Sequence, residues 1–271
     1  RDIKFSGLLH GGRADILAKD FQFDYEKFRV HIKDGDSLLI HVPIMSKDGF
    51  NTPQLKPVRT FICKVSGDFI VDAAKNKSSR VRLWKYPTLK TTEPSFTFYE
   101  SPKIHNNAYK RDVFYFKLDT FTLDSLLCFD INGIRFPGTF VSGGIMPEMK
   151  QTLTLQKDLS LGFHGKTSPE GMSVYNGKGT FIGEYDLSNN GLYGDGTIAY
   201  ISSKAQAKGI LFMPDSLNAR AYQFDQVATA GTVEFPEVHN QSTFIHWEPK
   251  NDRLLATMDT SQFKVFGNFA K

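Results

Sequence analysis

The text most capable of chemistry is Asp186-Leu-Ser-Asn-Asn-Gly-Leu-Tyr-Gly-Asp-Gly-Thr197. Asp186, Ser188 and Asn190 stand at positions one, three and five of a calcium-loop pattern, with Gly191 at six. Oxygen ligands at alternate positions around a glycine turn are what a hard cation requires. Position twelve is Thr197, where a bidentate Glu is needed, and the flanking text reads as strands rather than helices. The segment is therefore not an EF-hand. Asp186, Asn190 and Asp195 stay as weak candidates for a casual calcium site, against the plainer reading of an Asn/Gly-rich β-turn. No metal and no cofactor is expected.

A second candidate is Lys75-Asn-Lys-Ser-Ser-Arg-Val-Arg-Leu-Trp-Lys-Tyr86, continuing to Lys90, with Trp84 and Tyr86 set among six basic residues. Interleaved cations and rings bind single-stranded nucleic acid or anionic glycan. Read as a strand, the same text puts Arg80, Arg82 and Trp84 on one face and Val81 and Leu83 on the other, an ordinary amphipathic pattern. Arg80, Arg82, Trp84, Tyr86 and Trp247 are the candidate ligand-binding residues, for a possible glycan. The run Gly177-Lys-Gly179-Thr-Phe-Ile-Gly183 is not a phosphate loop, because strand-like text follows it and no helix N-terminus is available.

The seven histidines are scattered, at 10, 31, 41, 105, 164, 239 and 246. The Asp34-Gly35 step is expected to pair the strands carrying His31 and His41. No GxSxG, HExxH or CxxC pattern occurs, so no catalytic residue is assigned. An active site assembled from distant carboxylates would leave no such trace. Whether the chain is an enzyme is left uncertain, leaning to no. Cys63 and Cys128 both fall in apolar, strand-like runs, as a disulfide or as two buried thiols.

The elements that must carry these residues are strands. Phe21, Phe23 and Tyr25 alternate, and Phe28, Val30 and Ile32 resume the alternation after a one-residue shift that reads as a bulge or tight turn. With 24 Phe and 10 Tyr the composition favours pleated, half-buried surfaces. No stretch keeps a capped 3.6 period for a dozen residues. The fold class is therefore all-β: mostly antiparallel sheets, as a sandwich or stacked, solenoid-like units, with very little helix. Asn189-Asn190-Gly191 and Gly194-Asp195-Gly196 are expected hairpin turns, and Glu248 to Asp252 should turn TFIHW into RLLATM. Trp247 is expected near the rim of the core with its ring covered. Residues 43–60 and 87–108, each with three prolines, read as long loops able to fold over a sheet edge or bind something.

Two observations suggest duplication of a unit of about ninety residues. FQFDYEKFRV (21–30) and FYFKLDTFTL (114–123) share Phe at positions one, three and eight, and Asp-Ser-Leu recurs at 36–38, 124–126 and 215–217. Phe21, Phe23, Phe114 and Phe116 should then be buried at equivalent places. Two or three related units are expected, about 1–95, 96–170 and 171–271.

Residues 1–135 carry 22 Lys/Arg against 16 Asp/Glu, and the remainder 11 against 13. That imbalance is too small for a nucleic-acid surface. No apolar run is long enough for a transmembrane helix. The chain opens and closes on strand-like text, and we read it as a segment of a longer protein.

The stretch from Tyr99 to Phe163 (YESPKIHNNAYKRDVFYFKLDTFTLDSLLCFDINGIRFPGTFVSGGIMPEMKQTLTLQKDLSLGF), followed by GKGTFIGEYDLSNNGLYGDGTI, resembles segments of very large uncharacterised cell-envelope proteins of Bacteroidetes-type Gram-negative bacteria. The strand-plus-LSNNGLYGDGT phrase also resembles the repeats of AsmA/TamB-type β-groove proteins. What the resemblance implies is an envelope or surface location and a repetitive β architecture; it brings no site residues. The expected role is a non-catalytic scaffold segment whose partners are other segments of the same chain or envelope components. The rivals are a carbohydrate- or ligand-binding β module and a polysaccharide-active enzyme on a β scaffold.

Overall fold

The structure is a computed structural model and describes residues 2–45, 53–229, 237–258 and 264–266. It is all-β, with 60% strand against 2% helix, so strand exceeds helix far beyond the threefold margin that alternation alone suggests. Among the described residues the helix is two single 3-10 turns, Ile131–Gly133 and Pro249–Asn251. Two compact units share the chain. One comprises Arg1–Tyr99, Tyr115–Phe140 and Met149–Phe163, the other Glu100–Phe114, Val141–Glu148 and His164–Lys271.

The first unit begins with β1 (Asp2–Gly11) and β2 (Ala14–Asp24), an antiparallel ribbon, followed by β3 (Arg29–Gly35) and β4 (Ser37–Met45). Then come β5 (Pro53–Pro57), β6 (Ile62–Cys63), β7 (Val65–Ile70), β8 (Thr88–Thr91), β9 (Ser95–Phe98), β10 (Phe114–Leu118) and β11 (Thr122–Leu123). The strands β12 (Arg135–Ser142), β13 (Met149–Leu155) and β14 (Leu161–Lys166) follow, with residues 135–140, 149–155 and 161–163 of them in this unit. Alternation decides which face is buried: in β2, Ala14, Ile16, Ala18 and Phe21 point inward and are at most 1% exposed. Phe116, Phe140 and Phe163 form a ring cluster beneath the later strands, with centroids 5.0 Å apart for Phe140 and Phe163 and 6.2 Å for Phe116 and Phe163.

Several expectations need correction here. The Asp34-Gly35 bend does not make a hairpin of β3 and β4. Both pair with β2, β3 along Phe21–Asp24 and β4 along Ala14–Leu17. The eleven-residue β2 is long enough to hold two strands end to end, so His31 goes to Asp68, at 3.1 Å, and His41 to Asp15, at 3.7 Å. The two similar decamers also differ in topology. Residues 21–30 are a hairpin closed by Asp24 opposite Arg29. In 114–123, β10 pairs with β9 and β12, and β11 with β8. Phe21, Phe114 and Phe116 are fully buried, but Phe23 is only half-buried. The shared pattern is one of inward rings and not of shared partners. Asp-Ser-Leu has a simpler common role: Leu38, Leu126 and Leu217 are all 0% exposed, each following a polar pair that bends the chain towards the core.

Residues 75–87 are turns and loop, not strand. The Asn76 amide donates to Asp72 and to the Val81 carbonyl and accepts from the Val81 N–H. That closes a compact loop with no strand partner. Both supposed faces are solvated, with Val81 60% and Trp84 61% exposed. Cys128 is exposed in a turn, and Cys63 half-buried in β6. The proline-rich stretch 87–108 contributes β8 and β9, and β5 with all five residues exposed arises from 43–60; residues 46–52 of that stretch lie outside the described set.

The second unit is an antiparallel meander built on long strands: β15 (Met172–Val174), β16 (Gly179–Ser188), β17 (Gly191–Tyr200), β18 (Ser203–Phe212) and β19 (Leu217–Gln226), each paired with the next. It continues through β20 (Glu237–Asn240), β21 (Thr243–Glu248), β22 (Arg253–Met258) and β23 (Lys264–Phe266). The first half of β19 pairs with β21 and its end with β20. Asn189-Asn190 is the expected hairpin turn, since Ser188 faces Gly191. Gly194-Asp195-Gly196 is not a turn: it lies inside β17 at a bulge against β18. Gly196 faces Gly183 across the pair, with φ of 155° and 158°, and a Cβ on either would lie 2.1 Å from a carbonyl oxygen of the other strand. These glycines are required by the close backbone approach.

Candidate functional site

The hairpin β16–β17 places chemistry on its outer face by register. Asp186 lies opposite Tyr193 and Glu184 opposite Asp195. Their neighbours Tyr185, Leu187 and Leu192 point into the core, at 5%, 0% and 0% exposure. Period two therefore forces Glu184, Asp186, Tyr193 and Asp195 to share the other side. The Asn189-Asn190 turn closes one end of this face.

Residues 103–109 lie over that end, held by the buried side chains of Ile104 and Tyr109. Tyr109 is fully buried against Phe114, with centroids 4.3 Å apart. Its hydroxyl donates to the Phe212 carbonyl at 2.7 Å and accepts from the Leu192 N–H at 3.1 Å. Burial pushes this phenol far above its ordinary range. Thus anchored, the segment brings the His105 Nε2 to 2.8 Å from the Asn190 carbonyl and 3.3 Å from the Tyr193 hydroxyl. His105, Asn106 and Asn107 all take left-handed backbone, with φ of 45°, 54° and 65°. A side chain at Gly191 would collide with this arrangement, meeting His105 Nε2 at 2.9 Å and the Tyr109 hydroxyl at 3.0 Å.

The result is a groove of ≈ 560 Å³ whose edge is formed by Lys103, His105, Asp186, Tyr193, Asp195 and Gly209, with Ser188, Asn189 and Asn190 at the turn. Partial burial raises the Asp186 carboxyl above its usual value; the neighbouring His164 opposes this and Asp195 adds to it. The Tyr193 phenol is raised too, first by burial and then by the Asp186 charge. Asp195 Oδ1 accepts from the Gly209 N–H at 2.7 Å, fixing that carboxylate on the rim. Glu184, further along the same face, pairs with the Lys166 ammonium at 3.5 Å and has the His164 ring at 3.8 Å.

The sequence candidates Asp186, Asn190 and Asp195 are thus brought together, though not as a metal cage. Among the described residues no three His, Cys, Asp or Glu side chains converge closely enough to hold an ion. Ser188 Oγ accepts from the Asn190 N–H and has no base beside it in a nucleophilic arrangement. What the groove offers is hydrogen bonding: carboxylates as acceptors, amides as both donor and acceptor, an ammonium, and two ring faces. Sequence reasoning missed Tyr193, Lys103 and His105. Tyr193 was readable, since period two from Asp195 puts it on the same face. His105, 85 residues from Asn190, was not.

The other candidates lie elsewhere. In the first unit, the Arg82 guanidinium sits 3.8 Å from the exposed Trp84 ring centroid, Arg80 is exposed, and Tyr86 is half-buried. In the second unit, Trp247 is 1% exposed and offers no surface to a ligand. Its ring is held between Tyr175 and Tyr200, at centroid distances of 5.1 Å and 4.7 Å. The adjoining void, between Trp247 and Leu254, is ≈ 10 Å³, about the room of one water. The turn after it is exposed from Lys250 to Asp252, while Pro249 is buried.

Comparison with protein-family models, with curated proteins and with solved structures finds no match to this chain. No helix among the described residues is long and apolar enough to cross a membrane, which leaves membrane-crossing strands unaddressed.

Proposed function

We propose that the chain is a non-catalytic structural segment of a large envelope or surface protein. Its partners are further β segments of the same chain or envelope components, joined to it through sheet edges. The observation that carries this reading is β1. It runs for ten residues and pairs only with β2 among the described residues. It also exposes Ile3, Phe5 and Leu8 at 59%, 38% and 54%. A long, apolar strand with one unpaired ladder is a template for another strand, which monomeric folds ordinarily blunt. Here the blunting is slight: Lys4, and a bulge at Gly7 that divides the strand. Leu8 faces Leu17 of β2, itself 42% exposed, and extends the apolar strip.

Light scattering of the purified chain across a concentration series tests the edge. Association is expected, and Ile3→Lys with Leu8→Lys should abolish it while leaving the circular dichroism unchanged. A chain that stays monomeric throughout, or a double variant that associates as before, would remove the edge as a joining surface. Fractionation of the producing cells tests the location, with recovery in the envelope fraction expected.

A glycan-binding reading draws support from one exposed pair, Trp84 stacked by Arg82. Sugar-dependent quenching of Trp84 fluorescence, with Trp247 sheltered in the core, would favour it.

A further inference from the structure

We propose that the groove at the turn of β16–β17 is a binding site for a saccharide, independent of any scaffold role. Its ≈ 560 Å³ falls within the roughly 300–1,000 Å³ typical of small-molecule sites. The lining selects among ligand classes. Asp186 and Asp195 disfavour phosphate and other anions, which would meet two carboxylates and only Lys103 as a fixed positive charge. An apolar ligand would offer nothing to the partly buried Asp186 carboxylate, which it would strip of water. A bare metal ion lacks three converging ligands among the described residues.

A sugar satisfies each group. Its hydroxyls donate to Asp186 and Asp195 and accept from Lys103 and the Asn190 amide, while its C–H face lies on the Tyr193 ring. The Tyr193 and His105 rings, with centroids 6.1 Å apart and tilted by 55°, make a corner rather than a closed stack. The site is also held in shape before any ligand arrives. Tyr109 fixes the overlying segment through two hydrogen bonds, His105 is fixed on Asn190, and Asp195 is fixed on Gly209. Preorganised polar groups reduce the ordering cost of binding. Gly209 has nothing within 4 Å of where a Cβ would stand, so the β18 side of the groove is open.

The test is a titration of the whole 271-residue chain, followed by amide NMR shifts, with glucose, galactose, mannose and N-acetylglucosamine in turn. Saturable shifts centred on residues 103–107 and 186–195 are expected with at least one sugar. Asp186→Asn and Tyr193→Ala should each weaken binding by about tenfold or more, as loss of a paired polar group or a stacking ring does. Both positions are on the outer face, and an unchanged melting temperature shows that each variant folds. Lys103→Ala, in the overlying segment, gives a third variant whose folding is least at risk. The proposal is overturned if no sugar gives saturable shifts, or if shifts persist unaltered in the variants. It is equally overturned if calcium or inorganic phosphate alone saturates the same resonances.

Discussion

The two tryptophans stand in regions that use an aromatic ring in opposite ways. Trp247 belongs to β21, where strict alternation with Phe244, His246 and Glu248 sends it inward between Tyr175 and Tyr200. Trp84 belongs to a loop closed by the Asn76 amide, and its ring meets solvent on one side and Arg82 on the other. The two have neighbours of mixed type in the sequence, Arg82-Leu83 and Lys85-Tyr86 about Trp84, Ile245-His246 and Glu248-Pro249 about Trp247. What separates them is a partner strand. Ladder pairing on both sides of β21 converts alternation into two faces, and no ladder exists around Trp84 to do so.

The largest expected effect follows at Trp247. Trp247→Ala removes a ring that is 1% exposed from a site whose adjoining void is already only ≈ 10 Å³. Long strands paired on both sides resist collapse into the space, so a loss of about 3–5 kcal/mol is expected. Urea unfolding should show a lower midpoint with unchanged slope. A midpoint equal to that of the wild type would put the ring outside the core and end the contrast with Trp84.

Tyr109→Phe comes next. The change keeps the ring against Phe114 and deletes one oxygen, orphaning the Phe212 carbonyl and the Leu192 N–H. A cost of about 1–3 kcal/mol is expected from an unsatisfied buried group. The same variant should loosen residues 103–107, seen as faster amide exchange there than at β21. Equal exchange in both regions would show that Tyr109 does not anchor the segment.

These two sites also show what the sequence made legible. The inward face of β21 follows from alternation, as does that of β16, where Asp186 must oppose Leu187 and Tyr185. Asp186, Asn190 and Asp195 sit within one ten-residue phrase, so a local pattern was enough to collect them. Gly194-Asp195-Gly196 misled, because glycine serves turns and close strand approaches alike, and only the facing Gly183 decides between them. The division of β2 between β3 and β4 needs strand length and partner at once, which no local pattern contains. His105 and Lys103 were hidden for the same reason: they reach the groove through Tyr109, whose partners are 83 and 103 residues away.

A smaller effect belongs to His239. Its two ring nitrogens donate to the carboxylates of Asp225, at 2.8 Å, and Glu237, at 2.9 Å, and these hydrogen bonds, Asp225 first, raise its pKa above the ordinary histidine value. A raised folded-state pKa means the contribution is fully present below the unfolded value of about 6.5. It is lost as pH rises through the folded-state value. The melting temperature of wild type relative to His239→Gln should therefore be highest at acid pH and converge in alkali. A gap that widens with pH would reverse the sign and show the imidazole to be held neutral.

The smallest effect returns to Trp84. The ring is 61% exposed, so little apolar surface returns to water on truncation to Ala. The remaining interaction is with the Arg82 guanidinium, 3.8 Å from the ring centroid, and such exposed cation–π pairs contribute about 0.5–1 kcal/mol. Freed from the ring, Arg82 regains rotamer freedom, which offsets part of that loss. Trp84→Ala should accordingly change the unfolding free energy by no more than about 0.5 kcal/mol. The loop itself is held by Asn76 and Asp72, neither of which touches the indole through any hydrogen bond, so its shape should survive. Asn76→Ala supplies the control, because it deletes the loop's own tie while leaving the ring in place. If Trp84→Ala proves the more destabilising of the two, the ring supports the loop and is not a free surface. In that case the two tryptophans differ in degree of exposure but not in role, and the glycan-binding reading of Trp84 loses its footing.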